Sequence, residues 1–111
     1  MNILVLVSGG GTNLQALLDA EKEGVYCPGK ITLVVSDRPG VYALERAKNA
    51  GVAALVAEPD RTIPKENRRR ELSDRVLRLA ETHNISLIVL AGFLSILEGE
   101  IIRRYSGKLP L

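Results

Sequence analysis

Four short apolar runs recur along this chain, each followed by a segment with helical spacing. That alternation is the strongest constraint on its fold. The runs are "NILVLVS" (Asn2 to Ser8), "KITLVVSD" (Lys30 to Asp37), "VAALVA" (Val52 to Ala57) and "SLIVLAGF" (Ser86 to Phe93). They are near-continuous, the pattern of strands covered on both faces. After the first run, Leu14, Leu17 and Leu18 sit at i, i+3 and i+4. They make one face of a helix that Gly24 closes and that Thr12 or Asn13 could cap. Val41 to Gly51 carries Tyr42, Leu44, Ala47 and Ala50 at helical spacing and stops at Gly51. The stretch from Glu58 to Glu81 opens around Pro59 and Pro64, then sets Leu72, Val76, Leu79 and Ala80 on one face. Its acidic and basic residues nearly balance, so the other faces read as solvated and laced with i,i+4 pairs. Ile96, Leu97, Ile101, Ile102 and Tyr105 suit a last helix, weakened by Gly99.

Strands alternating with helices predict an α/β fold: an open, doubly wound, Rossmann-like parallel sheet of about four strands, with helices on both faces. A length of 111 residues predicts one domain. A net charge of +2 with only 4% aromatic residues argues against nucleic acid or an acidic membrane surface as partner. Cys27 is the only cysteine, so an internal disulfide is excluded and no Cys/His cluster could hold a metal. The run from Ile3 to Val7 is too short for a signal segment or a membrane span. A soluble cytoplasmic protein without a membrane partner is the expectation.

The stretch "VLVSGGGTNLQALL" (Val5 to Leu18) is the richest in chemistry. A loop leaving a parallel strand and opening a helix points backbone N–H groups outward, at the positive end of the helix dipole. Glycines let that backbone approach a ligand closely. Ser8, Thr12 and Asn13 add hydroxyl and amide donors, so a phosphate monoester is the expected guest. Two other loops do not fit. The dinucleotide fingerprint would need glycine where Leu14 stands, although Asp37 supplies the acidic residue after the second strand. The nucleoside-triphosphate loop needs a lysine at the helix start, and none lies between Met1 and Ala20. A tight turn with no ligand is the plainer alternative.

Three blocks, "NILVLVSGGGTNLQALLDA" (Asn2 to Ala20), "VVSDRPGVYALERAKNAGV" (Val34 to Val52) and "LIVLAGFLSIL" (Leu87 to Leu97), together resemble the phosphoribosylglycinamide formyltransferase family. The resemblance runs through essentially the whole chain. It implies the N-terminal half of a folate-dependent enzyme of purine biosynthesis, which transfers a formyl group from 10-formyltetrahydrofolate to glycinamide ribonucleotide. By resemblance, Gly11, Thr12 and Asn13, with Gly10 and Ser8, grip the substrate's 5′-phosphate. The resemblance also implies that Leu90 to Leu97 lines the folate pocket, with Leu90, Phe93, Leu94, Ile96 and Leu97 as apolar walls. Ser95 replaces an arginine frequent there. An arginine at the start of the preceding helix contacts folate in the family; Arg68, Arg69 and Arg70 are candidates, and Arg70 fits the spacing best. Ordinary strand and helix core for the apolar residues, and solvated arginines, are the plain alternatives.

The family's catalytic asparagine and histidine, in an N-x-H-P motif, would begin at about position 111, where Leu111 follows "SGKLP"; its catalytic aspartate lies further downstream. No catalytic residue is therefore assigned within these 111 residues. His83, before the fourth strand, falls at the edge opposite the ligand-carrying strand ends. The expectation is a phosphate-binding half that does not catalyse transfer by itself. Its fourth strand, Leu87 to Gly92, would have an open edge prone to self-association. Other readings are a stand-alone phosphoribosyl-binding module, half of a formyltetrahydrofolate deformylase, a methionyl-tRNA formyltransferase, or a dinucleotide domain.

Overall fold

The computed structural model describes residues 1–24 and 29–105. Cys27 and the "SGKLPL" tail, on which two of the expectations fall, lie outside the described residues. In chain order the elements are β1 (Asn2–Val7), α1 (Thr12–Lys22), β2 (Lys30–Ser36), α2 (Tyr42–Asn49), β3 (Ala53–Val56), α3 (Lys65–Thr82), β4 (Leu87–Leu90) and α4 (Glu100–Arg104). The strands form one parallel sheet in the order β3-β2-β1-β4. The chain reverses its direction of winding at β1, so both halves of the sheet meet beside the loop that follows this strand.

The near-continuous apolar runs of β1 and β2 are explained by two cores, one on each face; β3, at the edge of the sheet, is not covered on both faces as expected and leaves Ala53, Leu55 and Val56 exposed. Leu4, Leu6, Leu33 and Val35 pack with Leu72, Val76 and Ala80 of α3 and Ile101 of α4. Ile3, Val5, Val7 and Val34 pack with Leu14 and Leu18 of α1 and Ala43 and Ala47 of α2. Each fully buried leucine or valine contributes about 1.5–3 kcal/mol.

Four local expectations need correction. The helix opening after the glycines starts at Thr12 with Gly11 as its cap residue, and no side chain caps it. Thr12 and Asn13 lie inside the first turn, exposed, with their side chains unspent. On α2 the buried face is Ala43 and Ala47, while Tyr42 is exposed. Small residues are needed there because the glycine loop packs against them. The fourth run is strand only over Leu87–Leu90. Ala91 N–H still donates to Leu6 O at 2.9 Å, but Gly92 then turns at φ 72°. The last helix is only Glu100–Arg104, so Ile96 and Leu97 are not helical. Gly99 sets its start with φ 83° and ψ −144°, a conformation that ends any helix arriving from Ile96.

Among the described residues, no helix is long and apolar enough to cross a membrane.

Candidate anion loop and adjoining cleft

The loop Ser8–Asn13 leaves the carboxyl end of β1, the edge where open parallel sheets carry ligands. Its backbone is held from one side by α2. Ala43 N–H donates to Gly9 O at 3.3 Å, and Arg46 Nε–H donates to Gly10 O at 2.8 Å. Arg46 also donates to Gln15 Oε1 at 3.2 Å, and its guanidinium lies 4.7 Å from the centre of the Tyr42 ring. Gly11 is the point of closest approach. A Cβ on it would stand 2.8 Å from Ala43 Cβ and 2.9 Å from Ala43 Cα, and its φ is 82°. Glycine is required there on both counts. Gly9 and Gly10 face open space, and a Cβ on either would meet nothing within 4 Å.

Among the described residues, the N–H groups of Gly10, Gly11, Thr12 and Asn13 have no acceptor. The first turn of α1 carries no acidic residue. Unpaired N–H groups at a helix start, without a neighbouring carboxylate, are the features an anion site requires. Ser8 also has a structural part. It is buried, 2% exposed, and its hydroxyl accepts from Leu94 N–H at 2.8 Å. It ties the loop to the segment after β4.

That segment, Ala91 to Gly99, is irregular and hangs on three hydroxyls. Besides Ser8, Ser73 of α3 accepts from Glu98 N–H at 2.9 Å, and Ser95 donates to Asp37 Oδ2 at 2.5 Å. Asp37 is 6% exposed at the end of β2, and its other oxygen, Oδ1, is buried without a partner. The Ser95 contact is thus the one side-chain hydrogen bond of this carboxylate among the described residues.

The apolar residues expected to line a pocket separate into two sets. Leu90, Phe93 and Leu97 pack on the α3-side core. Leu94 is 66% exposed and Ile96 51%. Leu94, Ser95 and Ile96 form one wall of a cleft of about 180 Å³ opposite Pro59, Arg68, Arg69 and Leu72. Arg70 does not line it. Its side chain lies over Gly99, where a Cβ would meet Nε at 2.5 Å, and its Nε is 3.4 Å from Asp74. Of the three arginines, Arg68 and Arg69 face the cleft. Arg68 is steadied by donating to Ile63 O at 3.1 Å and Arg61 O at 3.2 Å. The strand-to-helix connection bearing Pro59 is held by Arg75, which donates to Glu58 O at 2.6 Å. Glu71, hydrogen-bonded to Arg75, keeps the guanidinium pKa raised.

A larger concavity of about 680 Å³ lies between α1, α2 and the start of β2, lined by Asp19, Lys22, Lys30 and Asn49 among others. Much of its floor is the amino end of β2, the wrong edge for ligands in such a sheet. The glycine loop and the smaller cleft are the candidate site. His83 caps α3 with Nδ1 2.8 Å from Leu79 O. It precedes β4 and so lies at the far edge from the loop.

A family profile described as formyl transferase matches residues 1–109. The chain belongs to the formyl transferase family. It is 36% identical to the phosphoribosylglycinamide formyltransferase of Escherichia coli K12, over 98% of this chain and 49% of that protein. It is 38% identical to the trifunctional purine biosynthetic protein adenosine-3 of Drosophila melanogaster, over 96% of this chain and 8% of that one. Among solved structures, glycinamide ribonucleotide transformylase 1 from Symbiobacterium toebii superposes with a TM-score of 0.86 at 35% identity, over 98% of this chain and 49% of that chain. The chain thus spans half or less of the length of these relatives. The shared fold accounts for the four-stranded parallel sheet and its two helical layers.

Sequence reasoning missed Arg46, Ser73 and the structural part of Ser8. It noted Asp37 only as a test for a dinucleotide. Nothing local in the sequence marks these contacts, which join residues 25 to 86 positions apart.

Proposed function

We propose that this chain supplies the phosphate-gripping half of a phosphoribosylglycinamide formyltransferase. Gly10, Gly11, Thr12 and Asn13 would receive the 5′-phosphate of glycinamide ribonucleotide. The observation that carries this reading is the row of unpaired N–H groups at the start of α1. Family membership supplies the substrate class. The backbone N–H groups would bind the dianion, the exposed Thr12 and Asn13 side chains would add donors, and the α1 dipole would favour the charge.

10-Formyltetrahydrofolate would supply the formyl group. The described residues fit it on one side: Leu94 and Ile96 offer apolar surface, and Arg68 and Arg69 offer cations suited to carboxylates. A cleft of about 180 Å³ is one wall of a folate site rather than a complete pocket. Ser95, occupied with Asp37, would shape that wall and not bind folate through its hydroxyl.

Formyl transfer to an amine needs a general base and an oxyanion stabiliser. Among the described residues no histidine stands at the carboxyl edge of the sheet, since His83 is at the other edge. The 111 residues by themselves should bind glycinamide ribonucleotide without turning it over. Calorimetry with that nucleotide and a transfer assay on the same preparation test both halves of the statement. Heat of binding with no product is expected. No binding, or turnover proportional to chain concentration, would contradict it.

The outer edge of β4 pairs with no strand among the described residues, and Leu94, Ile96 and Ile102 are exposed. Open edges recruit further strands. The 111 residues should therefore associate with a second copy as concentration rises. Sedimentation showing a constant monomer mass would count against this.

A further inference from the structure

We infer that Arg46 is a positioning residue that aims the anion loop, acting through the loop's backbone and not by touching the anion. The inference rests on the phosphate reading of the loop and goes beyond it by naming what sets the loop's geometry. Two consecutive peptides are held by their carbonyls from the α2 side: Gly9 O by Ala43 N–H at 3.3 Å and Gly10 O by Arg46 Nε at 2.8 Å. A trans peptide points its N–H opposite its C=O. Fixing the Gly9 and Gly10 carbonyls toward α2 therefore turns the Gly10 and Gly11 N–H groups away from it, side by side, with no acceptor among the described residues.

Glycines without a side chain would otherwise let these peptides rotate. Open space surrounds Gly9 and Gly10, so packing does not restrain them. Ala43 N–H restrains the Gly9–Gly10 peptide, and Arg46 restrains the Gly10–Gly11 peptide. The place of Arg46 is itself fixed on both sides, by Gln15 Oε1 at 3.2 Å and by the Tyr42 ring at 4.7 Å. Gln15 lies on α1, so one guanidinium joins the loop, the helix the loop opens and the helix behind it. The planar fork matters here. A lysine would carry the same charge but could not hold Gly10 O and Gln15 together with one rigid group.

The test is a set of Arg46 variants read by amide NMR, with inorganic phosphate as the probe. Arg46→Lys keeps the charge, and Arg46→Gln keeps a donor without it. Arg46 is partly exposed, so both should fold, and unchanged shifts in β1 and α3 verify this. In Arg46→Lys the backbone order parameter of the Gly11 N–H should fall, while that of the Gly10 N–H, on the peptide held by Ala43, should fall less. Phosphate affinity should fall about tenfold, the loss expected for one charge-assisted hydrogen bond. Gln15→Ala should reproduce a smaller part of both effects. An unaltered order parameter at Gly11 in Arg46→Lys would overturn the inference, and so would wild-type phosphate affinity in that variant. If the parent chain binds no phosphate but Arg46→Lys still loosens the Gly11 amide, the positioning role stands and the phosphate reading falls.

Discussion

The two loops at the carboxyl edge of the sheet, Ser8–Asn13 and Ala91–Gly99, are built on opposite principles. The first is short, glycine-rich and pressed against α2, with Gly11 in contact with Ala43. Among the described residues, the N–H groups of Gly10 to Asn13 are left free, and the carbonyls of Gly9, Gly10 and Gly11 are taken. The second is longer, apolar and irregular, held by the hydroxyls of Ser8, Ser73 and Ser95. It leaves Leu94 and Ile96 exposed. A backbone-built site needs one close packing contact. A side-chain-built wall needs several tethers from distant strands and helices. The difference predicts where each loop breaks.

The largest effect is expected at Gly11. Gly11→Ala forces a side chain into a left-handed backbone and into Ala43. It should cost roughly 3 kcal/mol, the sum of backbone strain and overpacking. Gly9→Ala and Gly10→Ala meet open space and should each change stability by less than about 1 kcal/mol. Urea unfolding of the three variants measures the contrast. Three equal values would remove the claim that Gly11 alone is the packing point.

Next comes the tether between Ser95 and Asp37. Ser95→Ala leaves a buried carboxylate with no side-chain partner among the described residues. A loss of about 2 kcal/mol is expected, the cost of an unsatisfied buried polar group. Hydrogen exchange at the Leu94 amide should quicken as well, because the segment is released locally. Exchange that stays at the parent rate would mean that Ser8 and Ser73 hold the segment without Ser95.

Tyr105 gives a pH-dependent check on the core beneath the second loop. Its hydroxyl donates to Ile85 O at 2.8 Å, and burial raises its pKa above the ordinary 10.0. A pKa higher in the folded state favours the protonated form. That contribution is complete below pH 10.0 and is lost as pH rises through the raised folded value. Tyr105→Phe should remove this alkaline loss at a cost of about 1 kcal/mol for the missing hydrogen bond. Stability of parent and variant falling in parallel above that pH would contradict the assignment.

The smallest effect on stability belongs to the exposed wall. Leu94→Ser and Ile96→Ser should shift unfolding by no more than about 0.5 kcal/mol. Both should weaken binding of a folate ligand in the complete family enzyme. A large loss of stability would place these side chains in the core.

The fold was legible because burial on both faces writes itself into continuous apolar runs, and Gly24, Gly51 and Pro64 mark helix ends. The geometry of the glycine loop was legible because its signals are local: a strand end, three glycines and a helix start. The second loop was not. Its apolar residues look alike in sequence, yet Phe93 and Leu97 turn to the core while Leu94 and Ile96 face out. That sorting depends on serines and an aspartate contributed by β1, β2 and α3. Arg70 matched the expected spacing, but Gly99 gave it room to turn aside, leaving Arg68 and Arg69 at the cleft. Family membership could not reveal this, because it depends on how this chain packs Gly99.

The phosphate grip of the glycine loop is tested most directly by a crystal structure of the chain with glycinamide ribonucleotide. Phosphate oxygens should lie within hydrogen-bond distance of the Gly10 and Gly11 N–H groups, with Thr12 and Asn13 completing the shell. A nucleotide bound elsewhere, with the glycine loop contacting none of its phosphate oxygens, would contradict that grip.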